Sequence, residues 1–276
     1  MIDHKMHEDD KRVYVNRLIM LNQMAGPLFR ELAEDLAPLY KRGCLLVTGH
    51  ADTLATQTPK NSKLVIKSGP EYNRSSKFRR AVSWLSYVLK SSKYILAAKP
   101  GDAILLVSNP PILGFWVWLL TKFNNIPYSV LVYDIYPEVL IQLGRLNQNG
   151  LIVKIWHSVN RLVNENAKLV LTIGKRMAGV INKKSSVNTR EVVTISPWVD
   201  VKKIKPIKRS DNPYANKFSV SQDQIVILYS GNMGLSHDID SMLEAARTLR
   251  NEPGLKFIFI GDGDKRKDIQ AFIQLY

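Results

Sequence analysis

A segment with two glycines, Ser230-Gly231-Asn232-Met233-Gly234-Leu235-Ser236-His237-Asp238, follows an apolar run at 224–229 and precedes an amphipathic helical pattern. Glycines let a backbone turn tightly and approach a ligand closely. The first amides of the following helix have no partner within that helix and carry the positive end of its dipole. A diphosphate would suit such a site, and a plain strand-to-helix turn fits the same pattern equally well.

The elements that must position this segment alternate between strands and helices, which is the pattern of a parallel α/β sheet covered on both faces. The apolar runs predict seven strands, at 12–19, 44–48, 63–67, 103–108, 129–133, 169–173 and 191–195. Helices are predicted from Gly26-Pro27 to about Tyr40, at 75–93, and from residues 112, 151 and 175. The first helix is expected to bury one side, formed by Leu28, Leu32, Leu36 and Leu39.

The chain is expected to form two domains, 1–200 and 223–276, joined by a linker at 201–222 that is rich in proline and lysine. The second domain is predicted to contain strand 224–229, helix 238–249, strand 256–260, a turn at 261–264 and a final helix to Tyr276. Two strands and two helices are too few to cover a sheet on both faces. The second domain is therefore expected to be incomplete.

The composition is strongly basic, with 39 Lys and Arg against 24 Asp and Glu, a formal net charge of +15. This charge indicates an anionic partner: nucleic acid, an anionic membrane surface or a phosphorylated substrate. No stacking platform or recognition helix supports nucleic acid, which is not expected as a partner. The single cysteine, Cys44, has no disulfide or metal-ligand companion, so a cytosolic, metal-free protein is expected. No secretory signal is recognisable at its start.

An uncharged run of 19 residues, 103–121, is long enough to cross a membrane if it forms one continuous helix. Asn109-Pro110-Pro111 interrupts it, and prolines disfavour a continuous helix there. We therefore predict a buried strand, a turn and a helix from Ile112. That helix is apolar on nearly all sides, so it is either buried, which we favour, or partly lodged in a membrane interface.

Five stretches resemble the retaining GT-B glycosyltransferases of family 4, and among them those that build bacterial surface polysaccharides on lipid carriers. The stretches occur in the family's order between about residue 100 and the end of the chain: Ser108-Asn109-Pro110-Pro111, Val132-Tyr133-Asp134-Ile135-Tyr136-Pro137-Glu138, Ile195-Ser196-Pro197-Trp198-Val199-Asp200, Tyr229-Ser230-Gly231-Asn232-Met233-Gly234 and Phe259-Ile260-Gly261-Asp262-Gly263. The first hundred residues match only in outline, with Ala25-Gly26-Pro27 in place of a glycine-rich first loop.

The resemblance implies an α/β, GT-B-like fold with a complete N-terminal Rossmann-like domain and an incomplete second one. It implies no cofactor other than a nucleotide-diphosphate sugar, which is the donor substrate. The donor-binding residues that it implies are Gly231, Asn232, Gly234, His237, Gly261 and Gly263, and those on the acceptor side are Asn109 and Tyr136. Many relatives have Arg and Lys where this chain has Asn232 and His237, so diphosphate stabilisation would pass to backbone amides or to other residues.

Two acids are the catalytic candidates by the same resemblance. Asp134 would orient the acceptor hydroxyl or accept its proton, and Glu138 would contact the acceptor or a sugar hydroxyl. Helix capping is an equal alternative for Asp134, and a solvated first-turn acid is the favoured alternative for Glu138. For Asn109 a capping role is favoured over ligand contact.

The resulting hypothesis is transfer of a sugar to a lipid-linked saccharide acceptor at the inner face of the cytoplasmic membrane. The basic surface would dock on anionic lipid, each Lys or Arg near it contributing about 1 kcal/mol. The alternative is a truncated, non-catalytic module that binds the acceptor or the membrane. The aspartates at 262 and 264 are expected to cap the last helix.

Overall fold

A computed structural model describes residues 16–55, 61–73, 75–184, 192–199, 201 and 204–276. The chain divides into two compact units. The first contains the described residues up to Trp198, apart from 142–145, which group with the second unit. The second unit otherwise runs from Val199 to Tyr276.

The first unit is built on one sheet of seven strands in which every neighbouring pair is parallel. The strands are β1 Leu18–Leu21, β2 Cys44–Thr48, β3 Leu64–Ser68, β4 Ala103–Val107, β5 Tyr128–Val132, β6 Leu169–Thr172 and β7 Val193–Thr194. Their order across the sheet is β3-β2-β1-β4-β5-β6-β7. The predicted α/β fold with a parallel sheet is confirmed.

Helices connect the strands of this sheet. They are α1 Pro27–Leu36, α2 Ala51–Ala55, α3 Lys77–Leu96, α4 Leu113–Asn124, α5 Glu138–Gln142, α6 Leu151–Asn166 and α7 Lys175–Lys184. A 3₁₀ turn, Ala37–Leu39, extends α1. Ser76 caps α3 by accepting a hydrogen bond from the Arg79 amide.

The strands are apolar throughout because both faces of the sheet are buried. Alternate residues of each strand point to opposite faces. Ile19, Val47 and Leu106 contribute to the core beneath α3, α4 and α6, whereas Met20 and Leu46 contribute to the core beneath α1. The two cores together leave no polar face on the central strands.

Two predictions for the N-terminal region are wrong. The first strand is Leu18–Leu21, which begins after the polar Asn16 and Arg17 and ends two residues beyond the predicted Ile19; residues 12–15 lie outside the described part of the chain. Helix α1 buries Phe29, Arg30 and Ala33, and Leu32 and Leu36 pack against the same core only partly buried. The other two predicted leucines, Leu28 and Leu39, are 39% and 73% exposed. The small alanine lets the helix pack closely on the sheet.

Helix α4 lies partly buried, with Leu113, Val117 and Thr121 facing the core. Its tryptophans, Trp116 and Trp118, are half-buried and pack against the edge of that core. Across the described ranges, no helix combines the length and the apolar character that crossing a membrane would require.

The second unit contains two parallel strands and two longer helices. Its elements are a 3₁₀ turn at Arg209–Asp211, α8 Pro213–Lys217, β8 Ile225–Asn232, α9 Ile239–Thr248, β9 Leu255–Asp262 and α10 Arg266–Leu275. Helices α9 and α10 bury Ile239, Leu243 and Ile269 together with Met233. Within the predicted linker, Arg209 donates hydrogen bonds to the carbonyls of three residues just before β8, Ser221, Gln222 and Gln224.

Both strands of this unit extend past their predicted ends. The predicted strands stop at Tyr229 and Ile260, but β8 reaches Asn232 and β9 reaches Asp262. Gly231 and Gly261 are register partners in the ladder, not residues of a turn. Glycine at position 261 allows this pairing, because a Cβ there would stand 1.9 Å from the Gly231 carbonyl oxygen.

Candidate functional site

The acid segment of the first unit leaves β5 at its carboxyl end, next to the end of β4. Ser108, just after β4, holds it there, because its Oγ accepts hydrogen bonds from the Tyr133 amide at 3.2 Å and the Asp134 amide at 3.4 Å. The Ser108 amide in turn donates to the Leu131 carbonyl at 3.0 Å. Ligands bind at this edge of open α/β sheets.

Asp134 lies at a pocket of about 70 Å³ that is walled by α4 and α6. Its side chain reaches solvent, yet desolvation by the surrounding protein raises the pKa of its carboxyl. Helix α5 begins only at Glu138, so the prediction that Asp134 caps this helix is wrong. No described residue donates a hydrogen bond to its carboxylate, which leaves that group available to a ligand hydroxyl.

Tyr136 lines the same pocket. Its ring stacks on Trp156, with centroids 6.0 Å apart and planes 12° apart, and its carbonyl accepts a hydrogen bond of 2.6 Å from Asn160 Nδ2. Burial, followed by the nearby Asp134 carboxylate, raises the pKa of its phenol. The pocket wall is mostly aliphatic, but it also has aromatic rings, amides and a carboxylate, which are groups that contact sugar rings and hydroxyls.

Sequence reasoning missed three residues of this wall. Trp156, Asn160 and Asn164 line the pocket from α6. Their spacing of four residues places them on one stripe of a helix, so two amides in line with a tryptophan were the available signal.

Glu138 does not line that pocket; it lines an adjacent cavity of about 30 Å³. Its carboxylate forms an ion pair with Lys184 of α7 and lies 3.7 Å from His157 Nδ1 of α6. Only 18% of the Glu138 side chain is exposed, so the interpretation as a solvated acid is wrong. Desolvation and then the Lys184 charge lower the pKa of His157. Glu138 therefore links α5 to α6 and α7 through its contacts with His157 and Lys184.

Asn109 does not cap helix α4. The residue before α4 is Ile112, and no side chain caps this helix, so the capping prediction is wrong. The Asn109 Nδ2 atom lies 3.8 Å from the Met24 sulfur. It does not line the pocket that holds Asp134 and Tyr136.

In the second unit, four of the six residues predicted to bind the donor lie where the two strands end together: Gly231, Asn232, Gly261 and Gly263. A Cβ on Gly261 would stand 1.9 Å from the Gly231 carbonyl oxygen, and one on Gly263 would stand 2.5 Å from the Met233 oxygen. All three glycines, Gly231, Gly261 and Gly263, have φ between 152° and 154°. Only glycine permits this backbone and this close approach of the strand ends.

The loop after β8 is tied to the strand by Tyr229. Its hydroxyl donates to the Asn232 carbonyl at 2.7 Å and lies 2.5 Å from His237 Nδ1. Since one hydroxyl proton cannot serve both contacts, we assign the second proton to His237 Nδ1, which leaves its Nε2 as the atom open to a ligand. Gly234 is buried beside the Asn232 side chain, and a Cβ there would meet Asn232 Nδ2 at 2.6 Å.

The start of α9 is capped by its own sequence. The Asp238 carboxylate accepts a hydrogen bond of 3.2 Å from the Ser241 amide. This neutralises part of the positive helix end, so amides of the loop itself must carry most of any anion binding. The predicted caps of α10 are wrong: Lys265 is its N-cap without a side-chain bond, and Asp262 pairs instead with Arg266.

Metal ligation finds no support in the part of the chain that the structure describes, which contains no group of three His, Cys, Asp or Glu residues able to hold a metal ion. The cysteine is buried, and burial raises the pKa of the Cys44 thiol to about 12.

Two curated bacterial proteins are related in sequence to this chain. It is 28% identical over 197 residues to "Probable glycosyltransferase WbjE" of Pseudomonas aeruginosa, covering 70% of the chain and 48% of that protein. It is 24% identical over 159 residues to "Putative colanic acid biosynthesis glycosyl transferase WcaI" of Escherichia coli K12, covering 56% of the chain and 39% of that protein. The chain thus spans about half or less of the length of these relatives. No protein-family model matches it.

Solved structures show the same fold. The Anabaena protein Alr3699/HepE, in complex with UDP-glucose, superposes with a TM-score of 0.64 at 14% identity, over 94% of this chain and 65% of that one. A UGT transferase from Siraitia grosvenorii, in complex with UDP, gives 0.53 at 11% identity, over 88% and 64%. The predicted GT-B fold and the resemblance to polysaccharide-building glycosyltransferases are confirmed.

Proposed function

We propose that the protein to which this chain belongs transfers a sugar from a nucleotide-diphosphate sugar to a lipid-linked saccharide acceptor. The observation that carries the proposal is the meeting of the two strand ends, where Gly231 and Gly261 are register partners at the carboxyl edge of the second sheet. Because glycine has no side chain, a ligand can approach its backbone amide closely, which suits a diphosphate. The UDP-glucose bound to HepE supports a donor of this class.

Donor binding is assigned to the loop after β8 and to the glycine turn after β9. Asn232 contributes an amide donor, and His237 contributes its Nε2 atom, which binds a phosphate oxygen when the imidazole is protonated. In the transfer step the bond between the sugar and the diphosphate breaks, and the developing negative charge on the departing diphosphate is stabilised by these groups.

Acceptor binding is assigned to the pocket of the first unit. Its stacked Tyr136 and Trp156 rings would hold a sugar ring, and Asp134 would accept the proton of the attacking hydroxyl as the new glycosidic bond forms. The raised pKa of the Asp134 carboxyl makes it a better proton acceptor than an ordinary aspartate. The lipid carrier places the reaction at the inner face of the cytoplasmic membrane.

Transfer of labelled sugar from a panel of UDP and GDP sugars to a polyprenyl diphosphate sugar tests the proposal. Asp134→Asn should lower the rate by about a hundredfold or more, because general-base catalysis contributes factors of that order. The matched variant Asp223→Asn, at an exposed acid outside both sites, should leave the rate unchanged. An unimpaired Asp134→Asn enzyme would contradict the assigned role.

Because the chain spans about half of its curated relatives, the assay needs two forms. One is this chain alone, and the other is this chain joined to the part of WbjE that it does not match. Transfer by either form supports the proposal. Binding of acceptor lipid by both forms without transfer from any donor would instead favour a non-catalytic binding module.

A further inference from the structure

Helix α3 has two apolar faces. Its inner face packs into the core through Tyr87, Val88 and Ile95, each at most 1% exposed. A second apolar stripe points the opposite way and remains in solvent. Its members are Phe78, Val82, Leu85, Leu89 and Leu96, with exposed fractions of 78, 47, 53, 53 and 53%.

The spacing of this outer stripe is helical, with steps of four, three, four and seven residues that keep the side chains in one line. From Phe78 to Leu96 it extends roughly 27 Å along the helix, at about 1.5 Å per residue. Isolated exposed apolar residues are ordinary on a protein surface, but a continuous stripe along five turns marks a contact surface.

The charged residues close to the stripe in sequence are all positive. Between Tyr72 and Gly101 the sequence contains no Asp or Glu, and its cations are Arg74, Lys77, Arg79, Arg80, Lys90, Lys93 and Lys99. Helical geometry places Arg79, Lys90 and Lys93 along one border of the stripe, and all three are exposed. Their long aliphatic stems allow the charged ends to reach outward beside apolar side chains.

Exposed apolar side chains also occur on two neighbouring helices. Helix α4 packs beside α3, and α6 packs beside α4. Phe123 of α4 is 78% exposed, and Leu151, Ile152 and Ile155 at the start of α6 are 72, 63 and 55% exposed. We call the outer stripe of α3 the α3 face.

We propose that the α3 face docks on the surface of an anionic lipid bilayer, with the apolar stripe lying among the headgroups and the bordering cations contacting lipid phosphates. Such a helix lies in the interface plane without crossing it. Charge complementarity selects this occupant, because cationic borders attract anionic lipid. A second copy of the chain would bring like charges together, which opposes self-association through this face.

The docking proposal concerns a surface outside the donor and acceptor pockets, and it extends the proposed function by naming how the protein reaches a lipid-linked acceptor. Its test measures lipid contact rather than sugar transfer. Failure of docking and failure of catalysis are therefore separate outcomes.

The first experiment is sedimentation of the purified chain with vesicles of phosphatidylcholine alone or mixed with phosphatidylglycerol. We expect binding to the mixed vesicles that weakens as salt is raised. The variant Leu85→Ser/Leu89→Ser should bind at least about tenfold more weakly, because two apolar side chains no longer enter the interface. The matched variant Ile273→Ser/Leu275→Ser, at exposed positions of α10, should bind like the parent chain.

A charge series makes the test independent of any effect on folding. Arg79→Gln/Lys90→Gln/Lys93→Gln should weaken binding and flatten its salt dependence, whereas Lys208→Gln/Lys217→Gln/Lys267→Gln, at exposed positions of the second unit, should change neither much. Equal losses from both triple variants would show a diffuse charge effect and overturn the assignment to α3.

A label on the stripe distinguishes lipid from protein as the occupant. Since the native Cys44 is buried, a polarity-sensitive fluorophore on Leu89→Cys reports that position selectively. We expect a blue shift on addition of mixed vesicles, and none for the same label on Ile273→Cys. A blue shift that grows with protein concentration in the absence of vesicles would instead show self-association, and no shift with either would also overturn the proposal.

Discussion

The two units of this chain both contain a parallel sheet, but the sheets are buried differently. In the first unit the central strands β1, β2 and β4 are almost wholly inaccessible to solvent. In the second unit β8 is mostly exposed or half-exposed. Helices α9 and α10 cover one face of the second sheet, and its other face borders a cavity of about 630 Å³ formed with the 207–220 segment.

This difference separates two sources of structural specificity. The first sheet is specified by apolar side chains packed on both faces, so its stability depends on side-chain volume. The ends of the second sheet are specified by backbone approach, since Gly231 and Gly261 meet without side chains between them. Volume changes should therefore dominate in the first unit, and added Cβ atoms in the second.

The largest expected effect comes from a matched pair of leucines. Leu106→Ala removes a side chain that is 0% exposed in β4 and should lower the free energy of unfolding by about 2–5 kcal/mol. Leu228→Ala in β8, where the side chain is 55% exposed, should lower it by less than about 1 kcal/mol. Denaturant unfolding followed by circular dichroism measures both. Equal losses of unfolding free energy in the two variants would contradict the proposed difference between the two sheets.

The second prediction compares two glycines with the same φ of 154°. Gly261→Ala places a Cβ against the Gly231 carbonyl and should destabilise the second unit by about 1–3 kcal/mol more than Gly231→Ala, whose Cβ meets nothing within 4 Å. Hydrogen exchange of the β8 and β9 amides reports the loss locally. A larger loss for Gly231→Ala would show that contact distance does not decide the effect.

Glu138→Gln tests the ion pair that joins α5 to its neighbours. Removing the charge leaves Lys184 without its carboxylate, and since the pair is partly exposed we expect a loss of about 1–2 kcal/mol in the free energy of unfolding. The control Glu244→Gln, at an exposed pair with Arg247, should have no measurable effect. An unchanged stability for Glu138→Gln would return this residue to the candidates for ligand contact.

The smallest effect concerns Asp134. Because the folded-state pKa of its carboxyl is raised above 3.8, ionisation destabilises the fold as pH rises through the folded pKa. Asp134→Asn should therefore be slightly more stable than the parent at neutral pH, with the difference narrowing as pH falls toward 3.8. Unfolding midpoints across this pH range measure the difference. A less stable variant at neutral pH would contradict the desolvation of this carboxyl.

Much of the fold could be predicted from the sequence because parallel strands buried on both faces are uniformly apolar. The runs around Cys44 and Ala103 both form strands close to their predicted bounds. Helix faces were harder to predict: α1 buries Phe29 and Ala33 fully but its leucines partly or not at all, since contact with the sheet depends on close approach as well as hydrophobicity. The sequence also did not show that one apolar stripe of α3 is exposed, because apolar periodicity does not distinguish an inner helix face from an outer one.

The candidate site could be predicted in position but not in detail. The sequence places Asp134 and Tyr136 after a strand, and both line the first pocket. The α6 residues that line the same pocket are distant in sequence from Asp134 and Tyr136. Only the four-residue spacing of Trp156 and Asn160 could have indicated them. Glu138 carries a carboxylate whose partners lie on α6 and α7, contacts that only the tertiary structure brings together.

Titration of UDP and GDP sugars into the isotope-labelled chain, followed through its backbone amide resonances, tests the central claim most directly. The account predicts saturable shifts at Gly231, Gly234, Gly261 and Gly263, with Gly179 of the first unit unaffected as an internal reference. Shifts that never saturate, or that appear away from the ends of β8 and β9, would contradict the assignment of the second unit to nucleotide-sugar binding.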